Sequence, residues 1–268
     1  MRWEELTGDE FPQAAATAQG VCLLPLSCIE RHAHHLPLGT DMYIGREICR
    51  RAAAIEPALI FPDFVFTQIL EARHCAGTIA IDADLIIRLM DNVCREIARN
   101  GLKKIVLVNA HGGNENLIHF FLQIQLESPR DYVVYIAQPR LHPDDEAAMQ
   151  KQWVSTVDGH AGEVETSAIL VIRPDLVHPD QLRSDAEGMP LERMKALRDA
   201  GISTGTWWYA DHPTHYRGDG NVATAEKGER WLNALAKVLA QAIRLIKDDV
   251  VTPQLQTEFF ASSQKPTG

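Results

Sequence analysis

Glu30, His32, His34, His35 and Asp41 place two carboxylates and three imidazoles within the stretch Pro-Leu-Ser-Cys-Ile-Glu-Arg-His-Ala-His-His-Leu-Pro-Leu-Gly-Thr-Asp at 25–41. This is metal-ligand density, and it directly follows the apolar run Val21-Cys22-Leu23-Leu24, which reads as a buried strand. In an extended segment residues i and i+2 share a side, so Glu30 and His32 converge on one point while Arg31 turns away. Asp41 returns after a Pro-Leu-Gly-Thr turn, and a carboxylate can bridge two cations where an imidazole cannot. The pattern suits a centre of two metal ions.

Two further motifs carry the same chemistry. Ile105-Val106-Leu107-Val108-Asn109 is a β-branched run of the kind buried on both sheet faces, and it ends in Ala110-His111-Gly112-Gly113-Asn114 before a helix over 116–127. Strand, glycine turn and helix put His111 at the carboxyl edge of a parallel sheet, where open α/β proteins keep their sites. Asp158-Gly159-His160-Ala161-Gly162-Glu163-Val164-Glu165 then opens another helix, with Glu165 near its first turn.

The elements that position these residues alternate between strand and helix. Helices are expected over 9–19, 42–54, 84–100, 143–153, up to Ile172, 189–200 and 223–248, with strands at 21–25, 59–62, 103–109 and 132–137. Thr40 or Asp41 is the expected cap of the 42–54 helix. Residues 64–81 read as short strand and loop, 201–221 as a long loop near a site or interface, and the segment after Pro253 as extended or disordered. The chain is thus expected to be one domain over 1–250 with a C-terminal tail over 251–268.

Composition narrows the function classes. With 268 residues, 46% hydrophobic and 23% charged, the chain is an ordinary globular protein. A formal net charge of -10 without a basic stretch argues against nucleic acid as a partner. No apolar run approaches membrane-spanning length, so no membrane partner is expected. Five cysteines without a C-x-x-C pair suit reduced thiols in a cytoplasmic protein.

Taken in order, E-R-H-A-H-H-L-P-L-G-T-D, N-A-H-G-G-N and D-G-H-A-G-E-V-E-T-S, with the later Gly-Asp-Gly-Asn-Val-Ala-Thr-Ala-Glu-Lys-Gly, resemble the creatininase (creatinine amidohydrolase) family. The resemblance spans roughly residues 20–230. It implies a single-domain α/β three-layer sandwich with a mostly parallel central sheet, and two divalent metal ions per chain, Zn or Mn with Fe also suitable. It further implies a homohexamer and hydrolysis of a non-peptide amide bond, cyclic or formyl, in a small polar substrate. Related members include deformylases and a peptide-trimming peptidase. A catalytically silent metal-binding or ligand-binding scaffold is the reading from another class.

Carried over by residue, the resemblance makes Glu30 and His111 ligands of one metal, His32 and Glu165 ligands of the other, and Asp41 the bridge. His160 resembles the proton-transfer residue, His35 a residue behind the ligands, and Gly112 and Gly113 the pocket floor. Glu163 competes with Glu165 as the ligand. Surface or loop positions are expected for His34, His74, His212 and His215, and a small buried filler for Cys75. Trp207, Trp208 and Tyr209 are expected to wall either the pocket or an interface. The chain departs from creatininases proper in Ala33-His34, in Thr156-Val157 where they carry Trp-Asp, and in Gly112-Gly113 where they carry Tyr-Glu. Creatinine is therefore not the expected substrate.

Overall fold

The computed structural model describes residues 1–138, 141 and 143–265. Its sheet is built from the continuous apolar runs: β1 (Val21–Leu26), β2 (Leu59–Ile60), β3 (Lys104–Asn109) and β4 (Val133–Ala137), all parallel, in the order β2-β1-β3-β4. In chain order the helices are α1 (Phe11–Thr17), α2 (Thr40–Ile55), α3 (Ala83–Arg99), α4 (Glu115–Ile124), α5 (Pro143–Gln150), α6 (Glu163–Ile172), α7 (Lys195–Asp199), α8 (Trp207–Asp211), α9 (Ala225–Asp248) and α10 (Val251–Ser263).

Both faces of the sheet are covered because successive strand residues point to opposite sides. Val21 and Leu23 of β1, with Val106 and Val108 of β3, join Ile44 and Ile48 of α2, Ile169 of α6 and Leu239 of α9 in one core. Cys22, Leu24, Ile105 and Leu107 join Met90 of α3 and Phe121 of α4 in the other. Each fully buried Leu, Ile or Phe in these layers contributes roughly 1.5–3 kcal/mol by burial. The result is the three-layer α/β sandwich with a parallel sheet. All five cysteines are buried and free.

The strand order reverses between β1 and β3, which lie side by side: the chain leaves β1 toward β2 on one side and returns to β3 on the other. In open parallel sheets that reversal opens a crevice at the carboxyl ends of the two central strands. Glu30 follows β1 there, and His111 follows β3.

Several local expectations are corrected. Thr40 and Asp41 lie inside the first turn of α2, and Gly39 is its cap. The expected 189–200 helix shrinks to α7, because 189–194 includes Pro190 and the left-handed Glu192. No strand forms over 64–81 apart from a single bridge between Leu26 and Phe64. The 201–221 loop contains α8. The largest correction is the tail, where α10 forms because the Asp249 carboxylate accepts from the free amides of Val251 and Thr252, at 2.8 and 3.0 Å. Gln256 then donates to the Arg130 and Tyr132 carbonyls, both at 3.0 Å, and ties the helix to the body. The expected tail also includes residues 266–268, which lie outside the described residues. Among the described residues no helix is long and apolar enough to cross a membrane.

Candidate metal centre

The segment after β1 leaves the sheet extended and puts Cys28, Glu30 and His32 near one another, as alternation predicts for Glu30 and His32. Glu30, His32 and Asp41 are at most 2% exposed, and His111 and His160 are each 7% exposed, so five ionisable groups share one buried volume. Asp41, delivered by the first turn of α2, divides its two oxygens. Oδ1 lies 3.2 Å from His32 Nε2, and Oδ2 lies 3.1 Å from His111 Nδ1. His111 Nδ1 is also 2.9 Å from Glu30 Oε1, and His32 Nε2 is 3.7 Å from Glu165 Oε2. Glu165 stands on the first turn of α6, where the Ala161 amide donates to its Oε2 at 2.5 Å.

The donor atoms form three overlapping groups, each within 4.8 Å: Cys28, Glu30, Asp41 and His111; His32, His160 and Glu165; and Glu30, His160 and His215. Asp41 contacts a member of each of the first two, His111 and His32. Burial opposes charge on the Glu30 carboxyl, but the imidazoles of His111 and His160 hold it well below the usual carboxylate range. Burial likewise opposes charge on His32, yet Asp41, Glu165 and Glu30 raise it to about 10. His111 is raised by Glu30 and Asp41 against the same burial penalty. The cluster therefore draws in positive charge, and bound cations supply it as well as protons do.

Two buried atoms fit that reading. Glu30 Oε1 has only its contact with His111 Nδ1 at 2.9 Å, and His111 Nε2 has no hydrogen-bond partner, which is costly unless something else occupies it. Mixed carboxylate and imidazole donors suit Zn, Mn or Fe.

His160 follows Gly159, whose φ of 156° is open to glycine, and its ring sits 4.3 Å from His32 and 4.2 Å from His215 between centroids. Burial, with His32 and His215 adding to it, pushes His160 down to about 3 against Glu30, so the ring is neutral at pH 7. Its Nε2–H donates to the Arg31 carbonyl at 2.8 Å. Ala33, Ala161 and His215, each next to or part of this site, take left-handed backbone conformations with φ of 51°, 54° and 57°. Non-glycine residues reach that region at a cost of about 1 kcal/mol or more, and such costs gather at functional sites.

The remaining expected residues lie as follows. His35 Nε2 bonds Thr166 Oγ1 at 2.9 Å, behind Glu165. Gly112 and Gly113 line the cavity. A Cβ on Gly113 would collide with Glu71 Oε1 and His111 Nε2, whereas one on Gly112 would meet open space. Glu163, the competitor of Glu165, turns away: it pairs with Lys227 and accepts from the Val154 and Ser155 amides at 2.9 and 2.8 Å. Cys75 is a buried thiol 3.4 Å from His74 Nε2. His34 is partly exposed between Arg31 and Glu187.

His212 and His215 lie on the loop after α8, one of the two expected settings, but both are buried rather than at the surface. His215 and Cys28 belong to the cluster and are the residues that sequence reasoning missed. Cys28 was readable in principle, since it continues the i, i+2 series of Glu30 and His32. No spacing signals His215, because it arrives from a loop far along the chain. Trp207 and Trp208 wall the cavity, which encloses about 230 Å³.

Comparison with known proteins agrees with this architecture. The family described as creatinine amidohydrolase matches residues 4–243. Creatinine amidohydrolase of Pseudomonas putida is 25% identical over 261 residues, covering 90% of this chain and 95% of that protein. A mycofactocin precursor peptide peptidase of Mycobacterium ulcerans is 29% identical over 217 residues, covering 78% of each. A tryptophan mutant of creatininase superposes with a TM-score of 0.76 at 23% identity, covering 92% of this chain and 99% of that one. A mutant creatininase described as the Zn-Zn type superposes at 0.75, also at 23% identity, covering 92% and 98%. The structural likeness establishes the fold, and the family match over nearly the whole chain establishes the kinship. The chain belongs to the creatininase family of amidohydrolases, enzymes that hydrolyse carbon–nitrogen bonds.

Proposed function

We propose that the protein is a dinuclear metal-dependent amidohydrolase acting on a non-peptide C–N amide bond, cyclic or formyl, in a small polar substrate. The observation that carries the reading is the Asp41 carboxylate, buried and shared between His32 and His111. Glu30, Asp41 and His111 would hold one divalent ion, and His32, Asp41 and Glu165 the other, Zn or Mn. When bound, the pair supplies Lewis acidity at neutral pH. The protein's own part is to orient and to move a proton. Arg31 fixes Nε2–H of His160, so Nδ1 is the nitrogen that takes up a proton and passes it to the leaving nitrogen. Trp207 and Trp208 restrict water around the substrate.

A peptide-trimming activity is the second reading, prompted by the mycobacterial peptide peptidase, which is 29% identical over 217 residues against 25% over 261 for the creatinine amidohydrolase. Assembly as a homohexamer belongs to the same proposal.

The test is metal content by plasma mass spectrometry, joined to hydrolysis of an amide and formamide panel and of short peptides, before and after chelation. Two equivalents of metal with chelator-sensitive release of amine, ammonia or formate are expected. His160→Ala should keep the metal and lose turnover by about 100-fold or more. Metal content near zero after incubation with Zn or Mn would sink the mechanism.

A further inference from the structure

The cavity beside the proposed metal centre carries an arginine that has no acid partner among the described residues. Arg217 lines it together with Glu30, Asp41, Glu71 and Trp207. Its backbone is strapped to the proposed proton-transfer residue: the His160 amide donates to the Arg217 carbonyl and the Arg217 amide to the His160 carbonyl, both at 2.9 Å. The side chain then runs over Gly159, where an added Cβ would stand 3.2 Å from Arg217 Cδ and 3.4 Å from Nε and a terminal nitrogen. Glycine at 159 is what lets the guanidinium lie this close to the backbone.

Charge pairing in the neighbourhood isolates this group. Arg198, which lines the adjoining cavity, is committed to Asp211 at 2.6 Å and Glu192 at 3.2 Å. Glu30, Asp41 and Glu165 are turned to imidazoles. Among the described residues no carboxylate forms an ion pair with Arg217. Three of the four carboxylates lining the cavity would hold the proposed metal ions, and the guanidinium of the exposed Arg217 adds a positive charge at its rim. Its planar fork matches a carboxylate through two parallel hydrogen bonds. Trp207 and Arg217 are also shared with an adjoining cavity of about 380 Å³, lined by Pro190, Met194 and Ile202, so a bound substrate is not forced to end at the arginine.

We propose that Arg217 clamps a carboxylate of the substrate, which makes the substrate an amide carrying an acid group close to the bond that is cleaved. This rests on the metal-dependent reading above. Calorimetry on the metal-loaded protein tests it with succinic acid monohydroxamate and its neutral amide counterpart, which share a metal-seeking group and differ in the acid. The wild type should bind the acid probe about tenfold or more tightly than the neutral one. Arg217→Met should erase that preference while holding the neutral probe within about twofold, and Arg217→Lys should restore part of it. Equal binding of the two probes by the wild type, or a preference that survives in Arg217→Met, overturns the clamp. Binding of neither probe to protein that carries metal also overturns it and leaves the metal centre standing. Protein that takes up no metal rejects the underlying reading, and the clamp with it.

Discussion

His215 Nε2 lies 2.5 Å from Glu30 Oε2, joining two residues 185 positions apart in the chain. Trp208 Nε1 donates to His215 Nδ1 at 2.7 Å, so the ring carries its proton on Nε2 and gives that hydrogen bond to the carboxylate. Glu30 is thereby aimed by a buried relay from α8, and its other oxygen, Oε1, is left for the cluster. Groups that orient a ligand in this way typically matter 10–100-fold to metal affinity. His215→Phe should weaken zinc binding by about that factor in chelator competition, and Trp208→Phe should weaken it less. Wild-type affinity in a folded His215→Phe protein would show that the relay does not orient Glu30.

The two glycines of the His111 turn should respond differently. Gly113→Ala drives a methyl into Glu71 Oε1 and His111 Nε2, while the same change at Gly112 meets nothing within 4 Å. We expect Gly112→Ala to stay within about 0.5 kcal/mol of wild type, as substitutions away from special features do. Gly113→Ala should lose about 1–3 kcal/mol, the range for overpacking, together with most of its metal uptake. Equal behaviour in urea unfolding and metal titration would contradict the crowding.

Glu163 and Glu165 can be separated by what each loses. Glu163→Gln breaks a buried pair with Lys227 and should cost about 3 kcal/mol while leaving metal stoichiometry unchanged. Glu165→Gln should do the reverse, with weakened metal uptake and a Tm of the metal-free protein within about 4 °C of wild type. The reading fails if Glu163→Gln is the variant that loses metal.

Asp249 gives a pH signature far from the centre. The Thr252 hydroxyl and amide, the Tyr135 hydroxyl and the Val251 amide lower its carboxyl from 3.8 to about 2. Its folded value is below its unfolded one, so its stabilisation is fully present above about pH 4 and is lost as pH falls toward 2. The group is partly exposed, which discounts the effect, and capping of this kind contributes about 1 kcal/mol. Asp249→Ala should therefore be about 1 kcal/mol less stable at pH 7. The gap to wild type should close between about pH 4 and pH 2 in denaturant titrations. A gap that is constant with pH would show that the carboxylate is not the cap.

The parallel sheet and most helices were legible because their signals are local. The runs at β1 and β3 are apolar at successive positions, which only a strand covered on both faces tolerates. The i, i+2 spacing of Glu30 and His32 at a strand end likewise announces convergence without further context. The tail was misread because its cap, Asp249, acts together with Tyr135 on β4, more than a hundred residues earlier. A polar segment with an isolated acid looks like solvent-exposed chain until that partner is in place.

By itself the sequence determined the fold class, the family and the set of residues dense enough in carboxylate and imidazole to hold metal. It could do so because strand alternation and helix turns convert spacing into direction over a few residues. Only the tertiary structure decided how those residues meet. It divided the oxygens of Asp41 between two imidazoles, turned Glu165 inward and Glu163 outward to Lys227, and brought His215 and Arg217 to a site whose other parts lie at the ends of β1 and β3. Most of those choices depend on contacts between segments far apart in the chain, such as Glu163 with Lys227 at 64 positions and Glu30 with His215 at 185, where neither periodicity nor composition carries direction.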